Sequence, residues 1–425
     1  MDKNPAESGQ NGFSRETEYL RLGGAVFLFL LILGYYDFRM HVGALYNEGQ
    51  TVYAALPRGM DYKAVYGYAA ALWGGLGEFL KVADAYPPFV AILYLPLNLF
   101  PVDAAYQLFV LLLMLCGAAA VYISLAIRRR ALAASSRITL TILICAVLFF
   151  TYPFNFSFER GNCDIIAAVL AAGALLATAG DRKWPAILLL TLSSQIKVYP
   201  AILSVFLLAR FGWGSFAGFI FLNVFYLFIL GPTALLGFIK GAARLSISAV
   251  FSWQGNHSLH SYLVNLCKAG FFSRFVAERI LALAYFLSTA SFVALSLKYI
   301  RSSPWRLNKK EFQPRSFGPR EIGLIGVSFC LMSLLPPTSH DYKLVIQIVP
   351  YLILLNTGKG GLFGNETEAR FFIAIVSAFT AYLYIPRFTV MPLRFLFNEL
   401  PVMEMKTPAL LFLFLSYAYL AVRGR

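Results

Sequence analysis

Long apolar runs separated by short polar segments dominate the hydropathy pattern of this chain. Within each run the apolar residues are continuous, whereas the strands of an outer-membrane barrel would alternate apolar and polar positions. The pattern therefore predicts an all-α, polytopic integral membrane protein, with one transmembrane domain over residues 1–425 and about 11–12 transmembrane helices. The expected spanning runs are 22–36, 104–127, 138–152, 164–180, 215–231, 277–299, 321–335, 343–356, 371–385 and 407–422.

Three runs have irregular features. The run 87–100 contains Pro96 and would reach only about 20 Å as a helix, against a hydrocarbon core of about 30 Å, so we expect it to lie in the outer leaflet without crossing. The run 185–211 is interrupted at "QIKVYP", which predicts two helices that meet at an outward-facing corner near Lys197. The run 22–36 has the length of a signal peptide, but no small-residue cleavage pattern follows it, and we expect it to be retained.

The composition agrees with a membrane protein, and the charges orient it. The chain is 59% hydrophobic and 13% charged, with a formal net charge of +15. Its basic residues fall mainly in the short connections between apolar runs, which indicates a positive-inside orientation and not nucleic-acid binding. One topology, with both termini cytoplasmic, places the basic stretches inside. The segments it leaves outside are 37–103, with amphipathic or partly inserted helices, 152–163, 232–276, 336–342 with the neighbouring Lys343, and 386–406.

The cysteines and histidines do not have the spacing of a metal site. The five cysteines are scattered without a CxxC pair, which predicts neither a disulfide framework nor a zinc site. The four histidines lack the close spacing of a ligand cluster. We therefore expect no metal ion and no cofactor.

A carboxylate lies where the first apolar run meets water. The stretch "LILGYYDFRMHVGALYNEGQTVY", residues 31–53, leads from apolar residues into Asp37 and then into a polar segment with Glu48. A charge at this boundary is suited to anchor the helix at the interface. It is equally suited to act as the general base of an enzyme whose substrate arrives in lipid. The residues alone leave both interpretations open.

Two basic residues lie at helix boundaries on the predicted outer side. Arg160, in "FERGNCD", fits an ion pair beside a helix start capped by Asp164 slightly better than it fits a phosphate contact. Lys197 lies within an apolar stretch, where a lysine is costly unless it faces a cavity or an anion, so we expect it to belong to a binding site. Tyr199 in the same motif and Tyr86 in "YPPF" are candidate substrate-binding residues, although the two prolines after Tyr86 also favour a helix start.

Two further outer segments concentrate polar side chains. The stretch "SWQGNHSLHSY" contains Asn256, His257 and His260, which fit either a solvated loop or a sugar-recognition surface. The stretch "PPTSHDYK" contains His340 and Lys343, whose imidazole and ammonium groups fit an anion site. The role of the first segment stays open at this point, and the second predicts an anion site.

The order of these motifs resembles a known family. Asp37, "YPPF", "ERGN", "QIKVYP", "NHSL" and "TSHDYK" are similar to the motifs of membrane-embedded C-type glycosyltransferases, particularly the polyprenyl-phosphate-dependent mannosyltransferase-like proteins of glycosyltransferase family 87. The resemblance runs over about residues 20–360, and the order is more specific than any single motif. One departure is His340, which is followed by Asp341 where the family often has a second histidine.

The resemblance implies an inverting transferase in a bacterial inner membrane, with its active site facing the periplasm. It would move one mannose-like hexose from a polyprenyl-phosphate carrier to a lipid or glycan acceptor, without a nucleotide sugar and without a metal. Asp37 would be the catalytic base, and the donor phosphate would bind Lys197, His340, Lys343 and Arg160. The residues that would bind substrate are Glu48, Tyr86, Asn256, His257, His260 and Tyr199.

Two other functional classes also fit the residues. A transporter or flippase of a lipid-linked saccharide would place basic and aromatic residues around a membrane cavity in the same way. Against it, the polar residues gather on one predicted side, and the sequence has no internal repeat. An oligosaccharide polymerase or ligase would transfer a preformed glycan from a diphosphate carrier, and product analysis would distinguish it from a monosaccharide transferase.

Overall fold

The predicted all-α fold is confirmed over the part of the chain that the structure describes. The structure is a computed structural model, and it describes residues 59–81, 86–127, 134–149, 151–247, 256–302, 317–355 and 406–423. Within these ranges the chain forms helices and turns, and its one isolated β-bridge joins Asn256 and His340. Asp37, Glu48 and the expected spanning runs 22–36 and 371–385 lie outside the described residues.

The helices are numbered here in chain order. The α-helices are α1 (Met60–Trp73), α2 (Leu76–Lys81), α3 (Pro88–Tyr94), α4 (Val102–Ala126), α5 (Ala134–Leu148), α6 (Tyr152–Arg160), α7 (Asp164–Ala179), α8 (Lys183–Ile196), α9 (Ser204–Phe211), α10 (Trp213–Leu227), α11 (Pro232–Ile247), α12 (Leu259–Lys268), α13 (Arg274–Ser302), α14 (Pro319–Leu334), α15 (Ile348–Leu355) and α16 (Lys406–Arg423). The 3-10 helices are Leu95–Leu99, Tyr199–Leu203 and Asp341–Gln347.

Two of the described helices are long and apolar enough to cross a bilayer. They are α4 and α13, whose most apolar windows have mean hydropathies of 2.5 and 2.0. Two bent pairs also qualify if each counts as one span: Arg137–Leu148 with Pro153–Arg160, bent by 80°, and Trp213–Leu227 with Pro232–Arg244, bent by 96°. These two to four candidate spans support a membrane-integral protein. The larger number of spans that the sequence predicts stays a prediction.

The break expected near Lys197 is present. Helix α8 ends at Ile196, Lys197 takes an extended conformation with φ −142° and ψ 130°, and the 3-10 helix Tyr199–Leu203 then leads into α9. Pro200 has no N–H group to donate to the carbonyl of Ile196, so α8 cannot continue through this position. Lys197 therefore lies in the non-helical break between α8 and the 3-10 helix.

The run 87–100 forms two short elements instead of one helix. Helix α3 begins with Pro88 in its first turn, as the double proline predicts. The 3-10 helix Leu95–Leu99 follows it. With seven and five residues, neither element is long enough to cross a bilayer. The expected position of the run 87–100 in the outer leaflet stays a prediction.

An antiparallel hairpin of α7 and α8 lies at the centre of the main apolar core. Helix α7 packs against both α4 and α8, and its buried face is rich in alanine, which lets neighbouring helices approach closely. The short turn between α7 and α8 makes the two helices antiparallel. The start of α7, at Asp164, and the end of α8, at Ile196, therefore lie at the same end of the hairpin.

The contact between α14 and α16 depends on two glycines. A Cβ atom at Gly323 would lie 2.4 Å from the backbone nitrogen of Ala421 and 2.7 Å from the carbonyl oxygen of Tyr417. A Cβ atom at Gly326 would lie 2.2 Å from the ring of Tyr417. Any side chain at Gly323 would therefore force the two helices apart.

We expect Gly323→Ala to destabilise the protein by about 1–3 kcal/mol, because the obstructing atoms belong to the backbone and cannot rotate away. Gly218→Ala in α10 is the matched control, since nothing lies within 4 Å of a Cβ atom there and alanine favours a helix. Thermal unfolding of both variants in one detergent measures the difference. Equal unfolding midpoints for the two variants would contradict this account of the helix contact.

Candidate functional site

Five polar side chains come together at the end of the α7–α8 hairpin where α7 begins. We call Tyr86, Asp164, Lys197, Tyr199 and Lys343 the lysine cluster. Asp164 is the first residue of α7, Lys197 follows the last residue of α8, and Tyr199 begins a 3-10 helix. Tyr86 shortly precedes α3, and Lys343 lies in the 3-10 helix Asp341–Gln347. The sequence predicts four of these five residues as site residues, all except Asp164.

Asp164 is the centre of the lysine cluster. Its side chain is 0% exposed, and its Oδ2 atom lies 3.8 Å from Nζ of Lys197. The hydroxyl group of Tyr199 donates a short hydrogen bond to Oδ1 of Asp164. A buried carboxylate is costly unless a charge or a hydrogen bond compensates it. The positions of Lys197 and Tyr199 are thus set by the same buried acid.

The two lysines each stack on a tyrosine ring. Nζ of Lys197 lies 4.7 Å from the ring centroid of Tyr86 and 3.4 Å from its hydroxyl oxygen. Nζ of Lys343 lies 5.0 Å from the ring centroid of Tyr199 and donates to the carbonyl of Thr338 at 3.1 Å. Cation–π contacts of this kind hold an ammonium group in place without neutralising its charge.

With both lysines protonated, the five residues of the lysine cluster have a formal charge of +1. Lys343 is only 5% exposed, and it stacks on Tyr199, whose hydroxyl group binds Asp164. Burial raises the pKa of Tyr86, so its phenol stays protonated and adds no charge. Two ammonium groups against one carboxylate, away from bulk water, form a site that attracts an anion.

Arg160 is held by Asp61, a residue that the sequence analysis did not single out. Nη2 of Arg160 lies 2.5 Å from Oδ1 of Asp61, and the two side chains are 12% and 13% exposed. The amide of Asn162 donates to Oδ2 of Asp61 at 2.9 Å and accepts the backbone N–H of Asp164 at 3.0 Å. One asparagine thus connects this ion pair to the lysine cluster. The ion-pair interpretation of Arg160 fits these contacts, and a phosphate contact stays a prediction.

The turn that carries "ERGN" is fixed against α1 and α4. Gly161 has φ 62°, and a Cβ atom there would lie 2.6 Å from Cβ of Tyr62 in α1. The hydroxyl of Tyr106 in α4 donates to the carbonyls of Phe158 and Glu159 at 2.9 and 3.0 Å. Only glycine fits both the left-handed backbone and the close approach, so this turn has one geometry.

Asn256 and His257 join two segments of the chain that are distant in sequence. Oδ1 of Asn256 accepts the backbone N–H of Ser339 at 2.9 Å, and its amide donates to the carbonyl of Pro337 at 2.9 Å. The His257 ring lies 3.1 Å from Oγ of Ser339, measured at Nε2, and its carbonyl accepts a hydrogen bond from Thr407 at 3.0 Å. Asn256 and His257 are 3% and 2% exposed. In this structure they hold the loop that carries His340 and Lys343, and direct contact with a substrate stays a prediction.

The remaining site candidates lie around the lysine cluster or apart from it. The carbonyl of His340 accepts the backbone N–H of Lys343 at 2.8 Å, so the two residues lie in one turn of the chain. His260 lies on α12, which packs with α13 in a separate apolar cluster, and burial lowers its pKa so that the ring is neutral at pH 7. Across the described ranges, His, Cys, Asp and Glu side chains form no group of three that could hold a metal ion.

Asp61 and Asp164 are the two residues whose roles the sequence analysis did not recognise. The sequence pattern indicates no role for Asp61 and only a helix-capping role for Asp164. Each is an acid next to a mainly apolar helix, and a charge that such a helix buries requires a partner. That signal was present, but the partners of Asp61 lie 99 and 101 residues away and cannot be read from local spacing.

We expect strong coupling between Arg160 and Asp61. Asp61→Asn and Arg160→Gln should each destabilise the protein, and the double variant should recover about 1–3 kcal/mol relative to their sum, because a lone charge no longer remains in a mostly buried place. Thermal unfolding of the three variants measures this coupling. The control cycle uses Arg274 and Glu278, 2.9 Å apart but 89% and 62% exposed, where we expect coupling close to zero. Strictly additive effects at Arg160 and Asp61 would refute the assignment.

Comparison of the sequence with known proteins identifies the family of this chain. Part of the chain is 29% identical, over 135 residues, to a polyprenol-phosphate-mannose-dependent alpha-(1-2)-phosphatidylinositol pentamannoside mannosyltransferase from Mycolicibacterium smegmatis. The match covers 31% of this chain and 30% of that protein. No solved structure matches. The model of glycosyltransferase family 87 matches residues 85–309, which include Tyr86, Asp164, Lys197 and Tyr199 and make up more than half of the chain. The chain therefore belongs to glycosyltransferase family 87.

Proposed function

We propose that this protein is an inverting glycosyltransferase that moves a single mannose-like hexose from a polyprenyl-phosphate carrier to a lipid or glycan acceptor on the outer face of the membrane. The observation that carries the proposal is the lysine cluster, in which two largely buried ammonium groups face one carboxylate. Membership of glycosyltransferase family 87 supports sugar transfer. The name of the mycobacterial relative supports a polyprenol-phosphate-mannose donor and a glycolipid acceptor.

The charge of the lysine cluster fits the charge of this donor. A sugar linked to a prenyl chain through one phosphate is a phosphodiester and carries one negative charge. The cluster offers one excess positive charge, from Lys197 and Lys343 against Asp164. A diphosphate carrier, as an oligosaccharide polymerase or ligase would use, brings more negative charge than this cluster neutralises. The comparison of charges thus favours the monophosphate-linked donor.

Exposed apolar side chains on the run 87–100 suit the prenyl chain. The run 87–100 begins next to Tyr86, and its residues Leu99 and Phe100 are 72% and 45% exposed. A prenyl chain lying along this run would bury these side chains while its phosphate reaches Lys197. Crosslinking of a photoreactive prenyl donor to this run would support the arrangement.

The chemistry needs one base and a cationic site. The acceptor hydroxyl oxygen attacks the anomeric carbon from the face opposite the phosphate and forms the new glycosidic bond, while the bond between that carbon and the phosphate oxygen breaks. The bonding electrons stay on the phosphate, which leaves as a prenyl phosphomonoester with one more negative charge. Asp37 takes the hydroxyl proton. Lys197 and Lys343, with His340 in the adjacent loop, stabilise the growing phosphate charge.

The one-sided arrangement favours an enzyme over a transporter. The lysine cluster, the Arg160–Asp61 pair and the loop from Pro337 to Lys343 lie together at one end of the α7–α8 hairpin. Alternating access requires a substrate path that opens to both sides. The opposite end of the hairpin has the ion pair of Asp181 with Arg210, at 2.9 Å, in which the arginine side chain is 8% exposed.

We expect Asp37→Asn to lower kcat by about 10²–10⁴-fold while donor binding is kept, because the substitution removes the base and preserves the shape of the side chain. The assay is transfer of label from a polyprenyl-phosphate hexose to an extracted mixture of lipid and glycan acceptors, with donor binding measured in parallel. Full transfer by Asp37→Asn would remove Asp37 as the base. If the wild-type protein and Asp37→Asn both bind the donor but neither transfers the label, a transporter would be favoured.

A second expectation concerns the donor phosphate. Lys197→Gln and Lys343→Gln should each weaken binding of a short-chain prenyl-phosphate hexose by about tenfold or more, since each removes one positive charge from a poorly solvated site. Lys183→Gln is the matched control, because Lys183 begins the same helix that Lys197 follows and is exposed at its other end. Unchanged affinity of Lys197→Gln and Lys343→Gln for the prenyl-phosphate hexose would contradict the proposed donor site.

A further inference from the structure

Transfer changes the charge of the bound carrier, and this change affects product release. The donor is a monoanionic phosphodiester, whereas the product is a phosphomonoester with a charge of about −1.5 to −2 at pH 7. A strongly positive site would therefore bind the product more tightly than the donor. An efficient site for this reaction must limit its own positive charge.

We propose that Asp164 limits that charge and positions Lys197, so that the lysine cluster binds the donor without retaining the product. This inference rests on the proposed function, because it assumes that the carrier phosphate binds at Lys197 and Lys343. Asp164 acts through these lysines and is a positioning residue, not a catalytic one. Without its carboxylate the cluster would carry two excess positive charges in place of one.

The geometry around Asp164 supports this role. Its Oδ2 atom lies 3.8 Å from Nζ of Lys197, too far for a hydrogen bond, and has no hydrogen-bond donor among the described residues. Its Oδ1 atom is held by Tyr199. The carboxylate is thus fixed on one side, while the ammonium group beside it can turn towards a phosphate and stay within the field of the acid.

The position of Asp164 shields it from direct competition with the substrate. Its side chain is 0% exposed, whereas that of Lys197 is 17% exposed. A phosphate that approaches the cluster therefore meets the lysine first and the acid behind it. The acid lowers the positive potential without blocking the site.

The test compares two small prenyl ligands that differ in charge. Farnesyl phosphate is a monoester, and methyl farnesyl phosphate is a diester that cannot transfer a sugar. Their dissociation constants are measured by titration of the purified full-length protein in detergent at pH 7, where the monoester carries a charge of about −1.5 to −2. The readout is the dissociation constant of the diester divided by that of the monoester. A general loss of structure would weaken the binding of both ligands and would not favour the monoester.

We expect Asp164→Asn to raise this ratio by about tenfold, because the added positive charge acts more strongly on the more negative monoester. Asparagine keeps an acceptor for Tyr199, so the local hydrogen bond survives. Lys343→Gln should lower the ratio. Lys183→Gln is the matched control, since it removes a positive charge at the exposed far end of α8, and it should leave the ratio unchanged. In turnover, Asp164→Asn should show stronger inhibition by farnesyl phosphate.

The outcomes separate this inference from the proposed function. If Lys197→Gln and Lys343→Gln alter the binding of neither ligand, the proposed donor site fails. If they weaken binding but Asp164→Asn leaves the ratio at its wild-type value, the inference about Asp164 alone is wrong. If Asp164→Asn does not fold, the double variant Asp164→Asn/Lys197→Gln is compared with Lys197→Gln, and the double variant must show the higher ratio. An equal or lower ratio overturns the inference.

Discussion

The pairing of a buried acid with a lysine at a helix break organises this end of the protein. Asp164 and Lys197 lie in the same low-dielectric surroundings, where either charge alone would be costly. Their meeting requires that α7 and α8 be antiparallel, that α8 end at Ile196, and that the backbone be extended at Lys197. The alanine-rich face of α7 and the position of Pro200 provide these conditions. The fold and the site are therefore specified by the same few residues.

Helix dipoles act in the same direction as this ion pair. Asp164 lies in the first turn of α7, where the partial charge of the helix end is positive and favours an acid. Lys197 lies just beyond the end of α8, where the partial charge is negative and favours a cation. The hairpin thus brings a positive and a negative helix end side by side. Each end holds the charge that suits it, which lowers the cost of burying the pair.

The sequence predicts local features well because they depend on neighbouring residues. Continuous apolar runs predict the all-α fold, Pro200 and Lys197 predict the break in α8, and Pro87 and Pro88 predict the start of α3. The pairing of Asn256 with Ser339 joins residues 83 positions apart, and no local pattern encodes it. For the same reason the burial of Asn256 and His257 could not be anticipated from a polar segment that also fits a solvated loop. Site residues were predictable as types, whereas their partners required the fold.

The hydrogen bond from Thr407 to the carbonyl of His257 has a consequence for biosynthesis. It joins the final described helix to a residue 150 positions earlier, in the segment that holds the loop of Lys343. Chains emerge from the ribosome from the N-terminus, and early segments fold before later ones exist. The support of this loop is therefore complete only after residue 407 has been synthesised. Until then, the earlier helices lack this hydrogen bond. A chain at this stage of assembly would therefore be open to recognition by quality-control factors.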